Sequence, residues 1–97
     1  MVKWTASSRK DLRHIHDHIA EESGYYAKKV LVSVVTRADV LKDFPQMGRM
    51  VPEFQNPSIR EIIVYSYRII YEIHGDAVEI LAVIHGKRNL EDVLSPP

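Results

Sequence analysis

The chain has 97 residues, its thirteen Lys and Arg balance its thirteen Asp and Glu, and it contains no cysteine. A chain of this length predicts one domain, residues 1–97, that folds without metal ions or disulfides. The absence of cysteine excludes disulfides and thiolate metal sites and fits a reducing cytosol. Zero formal net charge is unlike the basic character of domains that grip nucleic-acid phosphates. No segment approaches the ~20 apolar residues that cross a bilayer, so we expect a soluble cytoplasmic protein.

The first half of the chain has the pattern of a short strand followed by two amphipathic helices. Residues 2–5 are β-like in composition, and Ser7 or Ser8 offers a hydroxyl that can cap a helix beginning there. Apolar residues at three- and four-residue spacing then define one helix face: Leu12, Ile15 and Ile19. Segment 21–24 interrupts this helix, and a longer second helix runs until Pro45. We therefore expect a helical hairpin.

The second half of the chain has the pattern of a long loop followed by three strands. Residues 45–57 contain three prolines and one glycine, which is typical of a loop. The runs 59–65, 67–74 and 77–85 predict antiparallel strands, with reversals at Tyr65-Ser66 and Gly75-Asp76. The predicted fold class is α+β, with an N-terminal β-strand and a helical hairpin packed on a small antiparallel β-sheet.

Strict alternation along the last two strands predicts which residues share a face of the sheet. On the run 67–74, one face carries Tyr67, Ile69, Tyr71 and Ile73. On the run 77–85, one face carries Val78, Ile80, Ala82 and Ile84, and the other carries Glu79, Leu81, Val83 and His85. Because both faces are partly apolar, we expect the helices to cover one and the other to form a shallow concave surface.

A set of basic residues lies in the predicted sheet and just after it: Arg60, Arg68, His85, Lys87 and Arg88. If they converge, such groups stabilise phosphate or the charge that develops in phosphoryl transfer, and a histidine can move a proton. The alternative is structural: Arg60 pairs with Glu61 or Glu72, and Lys87-Arg88 is a solvated strand end. Spacing by itself favours the structural alternative.

Histidines and tyrosines offer two further candidate sites. On a helix, His14 and His18 share a face with Asp11, a possible metal trio, but ordinary polar-face residues explain them better. We therefore predict no metal site and no cofactor. Tyrosines stack on bases in some nucleic-acid sites, and this role stays open for Tyr65 and Tyr67.

An ordered series of short motifs resembles the ParE/RelE superfamily of bacterial type II toxins. The series is Trp4, Asp11-Leu12, Ile15, Phe44-Pro45, Gly48-Arg49, Arg60-Glu61, Tyr67-Arg68-Ile69-Ile70-Tyr71 and Ile84-His85-Gly86-Lys87-Arg88. The resemblance implies a helical hairpin on a small antiparallel sheet. It also implies a cognate antitoxin in a toxin–antitoxin hetero-oligomer. We expect the antitoxin to lie in the apolar groove between the helix pair and the sheet, and along a strand edge.

The resemblance implies one of two activities. RelE-like members cleave messenger RNA in the ribosome, and Arg68 and Arg88 match two of the cations they use, with His85 as a possible substitute for their tyrosine. That tyrosine is not matched, because Leu94 stands where it is expected. We therefore favour a ParE-like toxin that inhibits DNA gyrase without performing chemistry.

The residues expected to bind the target are Arg60, Tyr67 and Lys87, which lie in the last strands and just after them. The alternatives are a ribosome-dependent endoribonuclease acting on messenger RNA, and a non-toxic partner of an antitoxin-like repressor. For the nuclease, Arg68→Ala is expected to abolish cleavage with the melting temperature nearly unchanged.

Overall fold

The computed structural model describes residues 1–86. Its helices are α1 (Ala6–Ala20) and α2 (Gly24–Asp39), and a short 3-10 turn, Val40–Lys42, follows α2. Its strands are β1 (Val2–Trp4), β2 (Arg49–Met50), β3 (Ile59–Val64), β4 (Tyr67–His74) and β5 (Ala77–His85). Neither helix of this part of the chain is long and apolar enough to span a membrane.

The five strands form one mixed sheet in the order β1-β5-β4-β3-β2. Strand β1 runs parallel to β5, and every other neighbouring pair is antiparallel. The α1–α2 hairpin connects β1 to the rest of the sheet and packs on one face of it. The predicted α+β fold is therefore confirmed, with the N-terminal strand added in parallel at one edge.

Helix α1 begins earlier than the sequence predicts, because its cap is Thr5 and not Ser7 or Ser8. The Thr5 hydroxyl oxygen accepts the Ser8 N–H at 3.0 Å, while Thr5 itself has extended backbone and donates its N–H to Ile80. Ser8 is fully buried, and its hydroxyl donates to the Thr5 carbonyl at 2.9 Å. A threonine at the end of β1 thus ends the strand pairing and starts the helix in a single residue.

The main core lies between the helix pair and the sheet. It contains Leu12 of α1, Val30, Val34 and Ala38 of α2, and strand residues that include Ile62, Ile69, Tyr71, Val78, Ile80 and Val83. Tyr67 and Ile73 pack against this cluster, so the four residues predicted to share one face of β4 do share it, and it is the face that the helices cover. Apolar burial on this face holds the hairpin on the sheet.

A β-bulge at Leu81 makes the alternation predicted for β5 wrong. Tyr71 pairs with Ile80 and Ile70 pairs with Ala82, so Leu81 is left without an opposite residue. The extra residue reverses the faces beyond it. Val83 therefore joins the main core. Ala82 and Ile84 belong instead to a second cluster with Val51 and Ile70, on the sheet face away from the helices.

The segment 45–57 is not purely a loop, because it contains β2, which pairs with β3. Its start is held by the Tyr71 hydroxyl, which donates to the Pro45 carbonyl at 2.6 Å and accepts the Gly48 N–H at 2.9 Å. Burial raises the pKa of Tyr71, so the hydroxyl stays protonated. Val51 is fully buried against the second cluster. The segment thus covers the sheet face that the helices leave open.

The two reversals between strands are confirmed. Strand β3 ends at Val64, and Tyr65 takes the left-handed conformation with φ of 56°. Gly75 has φ of 58° at the corresponding position of the second turn. Left-handed conformations at such positions match the right-handed twist of two-residue hairpins.

We expect Gly48→Ala to destabilise the fold by about 1–3 kcal/mol, the usual cost of overpacking a close-packed site. A Cβ atom at Gly48 would lie 2.5 Å from the Glu61 carbonyl oxygen and 2.6 Å from the Tyr71 hydroxyl. Gly24→Ala is the matched control, because nothing lies within 4 Å of its added Cβ and alanine suits a helix. Urea unfolding measures both. Equal stabilities of the two variants would contradict the close approach at Gly48.

Candidate functional site

The predicted basic cluster does not assemble within residues 1–86. Lys87 and Arg88 lie outside the described residues. Arg60 donates to the backbone carbonyls of Pro57 at 3.1 Å and Gly48 at 2.9 Å, and so fastens segment 45–57 to β3. Its described partners are carbonyl oxygens and not the carboxylates of Glu61 or Glu72, so the pairing we expected for it is wrong.

Arg68 is buried and forms ion pairs with two carboxylates. Only 7% of the residue is exposed. Its Nε and Nη2 donate to the two oxygens of Glu61 at 2.6 and 3.2 Å. Its Nη1 and Nη2 donate to the two oxygens of Glu53 at 3.0 and 3.1 Å. Each carboxylate is thus held in the two-pronged geometry that suits a planar guanidinium.

Charge is neutralised around this group. Glu61 is 1% exposed and also accepts from Arg49 Nε at 3.0 Å, so two cations meet two anions. The hydrogen bonds that Arg68 donates hold the pKa of Glu53 below its usual value, and their acceptance by Glu53 and Glu61 raises the pKa of Arg68. Glu53 therefore stays ionised to a lower pH than a free glutamate does. A phosphate that approached Arg68 would have to displace a carboxylate.

Tyr67 and His85 lie together, on the opposite side of the sheet from Arg68. They are register partners across β4 and β5, and their rings meet edge to face with centroids 5.8 Å apart. Tyr67 packs with the helix-side core, whereas its neighbour Arg68 projects to the other face. The structure thus brings together two of the predicted site residues but separates His85 from Arg68.

A small cavity of about 240 Å³ adjoins this ring pair and is shared with α1. Asp11, His14 and His18 line it with Tyr67 and His85. The Asp11 carboxylate accepts the Val83 N–H at 3.1 Å and so ties α1 to β5. In the described part of the chain, the ligand atoms of Asp11, His14 and His18 do not form a cluster within 4.8 Å of one another.

A larger open groove, of about 820 Å³, runs between the helix pair and the edge strand β1. Its apolar lining comes from Val2, Trp4, Leu12, Leu31 and Val35. Its polar lining consists of Lys3, Arg9, Arg13 and His16, with Glu79 as the acid. We call this surface the basic-rimmed groove. An apolar floor with cations beside it suits an amphipathic segment that carries acidic residues.

Comparison with known proteins assigns the chain to a family. The family model of the ParE toxin of the type II toxin–antitoxin system parDE matches residues 2–90. The chain belongs to this toxin family.

Individual relatives agree with the assignment. Toxin RelE2 of Caulobacter vibrioides is 31% identical over 88 residues, which cover 90% of this chain and 96% of that protein. The solved structure of a chromosomal ParDE system from P. aeruginosa matches at a TM-score of 0.73 and 23% identity, covering 87% of this chain and 92% of that one. The RelBE2 toxin–antitoxin complex of Mycobacterium tuberculosis matches at a TM-score of 0.61 and 23% identity, covering 88% of this chain and 95% of that one. Both structures share the fold of this ParE/RelE-family toxin.

Several motifs behind the resemblance have a structural task in this toxin. Arg60 binds the carbonyl of Gly48, Arg49 and Arg68 bind Glu61, and Tyr71 binds both Pro45 and Gly48. Together they attach segment 45–57 to the sheet. The motif residues could be located from the sequence, but their partners could not, since these contacts join positions up to 26 residues apart.

Sequence analysis of the toxin missed the basic rim of the groove. Its signal was available: Arg9, Arg13 and His16 are spaced by four and three residues and therefore share one face of α1. Glu53 as the second partner of Arg68 had no comparable signal, because it lies in an irregular turn. The roles proposed for Arg68, His85 and Arg88 in catalysis stay predictions.

We expect Arg68→Ala to destabilise the toxin by about 3–5 kcal/mol, since it leaves Glu61 buried without its main cation. This differs from the nearly unchanged melting temperature that sequence analysis expects. Arg13→Ala, at an exposed position of α1, should change stability by no more than about 0.5 kcal/mol. Urea unfolding at neutral pH measures both. An Arg68→Ala variant as stable as the wild type would show that the two carboxylates do not depend on the guanidinium.

Proposed function

We propose that this toxin acts by binding DNA gyrase and performs no chemistry of its own. The match to the ParE toxin of parDE supports the ParE branch, with which gyrase inhibition is associated. The absence of net charge also suits a protein-binding toxin better than one that docks into ribosomal RNA through phosphate contacts.

The observation that carries this proposal is the engagement of Arg68. RNA cleavage by relatives relies on cations that face the phosphate, and here the guanidinium already makes four hydrogen bonds to two carboxylates. His85, the candidate acid or base, lies across the sheet with Tyr67. Within residues 1–86, these groups therefore do not form one phosphate-binding site. Such an arrangement favours binding over catalysis.

The alternative is a ribosome-dependent endoribonuclease with Arg68, His85 and Arg88 as catalytic residues. Two observations support this alternative. The Caulobacter relative is named RelE2, and the Tyr67–His85 ring pair lies beside an open cavity. Arg60, Tyr67 and Lys87 then stay the proposed binding residues. A toxin fold that has lost toxicity and only binds an antitoxin-like repressor is the third possibility.

Two assays on the purified full chain test the target. We expect inhibition of DNA supercoiling by gyrase and intact messenger RNA in a translating extract. Relaxation of the same plasmid by topoisomerase I is the control and should proceed normally, because the proposal concerns gyrase and not DNA.

Cleavage of messenger RNA at ribosomal A-site codons, with normal supercoiling, would contradict gyrase inhibition and support the endoribonuclease alternative. Absence of both effects, with the chain shown to be folded by circular dichroism, would favour the non-toxic binding partner.

We further propose that the antitoxin inactivates the toxin by occupying the basic-rimmed groove. The P. aeruginosa and Mycobacterium tuberculosis structures come from toxin–antitoxin systems, which supports a protein partner of this kind. The groove offers apolar side chains, including Trp4 and Leu31, for the apolar face of a helix. Lys3, Arg9 and Arg13 complement acidic residues on its flanks. Strand β1 is also the end strand of the described sheet, so a segment of the antitoxin could add to it as a further strand.

Reversal of one rim charge tests this docking. We expect Arg13→Glu to weaken binding of the protein encoded by the neighbouring reading frame about tenfold at low salt, with a smaller effect at high salt. Lys29→Glu is the matched control, because Lys29 is an exposed cation of α2 outside the groove lining. Surface plasmon resonance measures both affinities.

Hydrogen exchange should in addition show new protection in α1 and β1 of the complex. Equal affinities of the two variants, or protection confined to β3 and β4, would place the antitoxin elsewhere.

A further inference from the structure

Two glutamates and a histidine meet on the β4–β5 hairpin, and one of them, Glu79, also lines the basic-rimmed groove. Glu72 and Glu79 are register partners on neighbouring strands, and His74 lies two residues beyond Glu72 on the same face. The His74 Nε2 atom lies 3.3 Å from a Glu72 oxygen and 3.5 Å from a Glu79 oxygen. All three ligand atoms lie within 4.8 Å of one another.

This arrangement is unusual because it sets like charges directly opposite each other. Two carboxylates in register on antiparallel strands repel and destabilise the pair. In residues 1–86, both glutamates contact His74, and the cation in register is Lys3, opposite Glu79. A divalent cation would neutralise both carboxylates at once, which one imidazole does not do.

We propose that Glu72, His74 and Glu79 bind a zinc ion. Zinc is held tetrahedrally by nitrogen and oxygen ligands at about 2.0–2.2 Å, which places ligand atoms about 3.3–3.6 Å apart. The two nitrogen–oxygen separations at His74 fall in this range without any rearrangement. The imidazole nitrogen favours zinc over magnesium, which prefers oxygen ligands in octahedral geometry.

The site has three protein ligands, so a fourth position is left for water or for a side chain of a partner. Its side chains are 52%, 29% and 41% exposed for His74, Glu72 and Glu79, so a metal reaches them directly from solvent. A bound ion would fasten β4 to β5 next to the Gly75-Asp76 turn. The proposal does not depend on the toxin's target or on the antitoxin.

The test uses the untagged full chain, stripped of metal with EDTA and dialysed, and zinc chloride alone as the probe. Calorimetry should show one equivalent of zinc bound, and the thermal midpoint should rise by about 5 °C at saturation. His74→Ala and Glu79→Gln should each weaken binding at least tenfold. His18→Ala is the matched control, since His18 is an exposed histidine whose Nδ1 lies 3.8 Å from Glu21, and it should bind as the wild type.

The proposal would be overturned by no heat and no shift of the midpoint on adding zinc, by wild-type affinity of the His74→Ala variant, or by loss of binding in a His14→Ala/His18→Ala variant. An equal shift with magnesium chloride would also overturn it, because it would indicate a simple screening of the two carboxylates. The midpoints of all variants in EDTA confirm folding. If His74→Ala fails to fold, Glu79→Gln decides.

Discussion

The ion pairs of the buried Arg68 guanidinium with Glu61 and Glu53 hold together the sheet face that lies away from the helices. A cation with 7% exposure is tolerable only if its hydrogen bonds are satisfied by charged partners. Glu61 supplies one carboxylate from the neighbouring strand, and Glu53 supplies the other from segment 45–57. Folding of this segment and neutralisation of the arginine are therefore one event. Arg60 and Tyr71 then fasten the same segment through its backbone.

This constraint gives a structural role to the place where the sequence concentrates its motifs. A side chain cannot at once bind two carboxylates and hold a phosphate, unless the segment carrying Glu53 moves. The stretch of α1 and β1 has the opposite character, because its cations line an open apolar groove. The motifs of β3 and β4 thus account for the fold of this ParE-family toxin, and the helix-side surface offers it the means to bind another protein.

The sequence predicted the helices, the three long strands and both hairpin turns, because each is encoded by local periodicity or by turn residues. It could not predict features that arise from contacts between distant residues. The bulge at Leu81 is one, since an extra residue leaves the apolar pattern of β5 intact while reversing its faces. The two-residue strand β2 is another, since pairing with β3 and not composition creates it. The basic residues and tyrosines of the candidate site could be picked out from the sequence. That Arg68 and His85 lie on opposite faces of the sheet could not, because it depends on the register in which β4 pairs with β5.

The zero net charge illustrates why a total is a weak guide to a surface. It results from thirteen cations and thirteen anions, but these are not evenly distributed. Glu61 and Glu53 form ion pairs with Arg68 and so neutralise it. By contrast, Lys3, Arg9 and Arg13 face solvent around the basic-rimmed groove, where Glu79 is the acid beside them. These three cations outnumber the one acid of the groove lining, and an acidic segment within a Debye length of about 8 Å at physiological salt would be attracted to them. A neutral chain can therefore attract an acidic protein segment at one face and still lack the extended basic surface that nucleic acid requires.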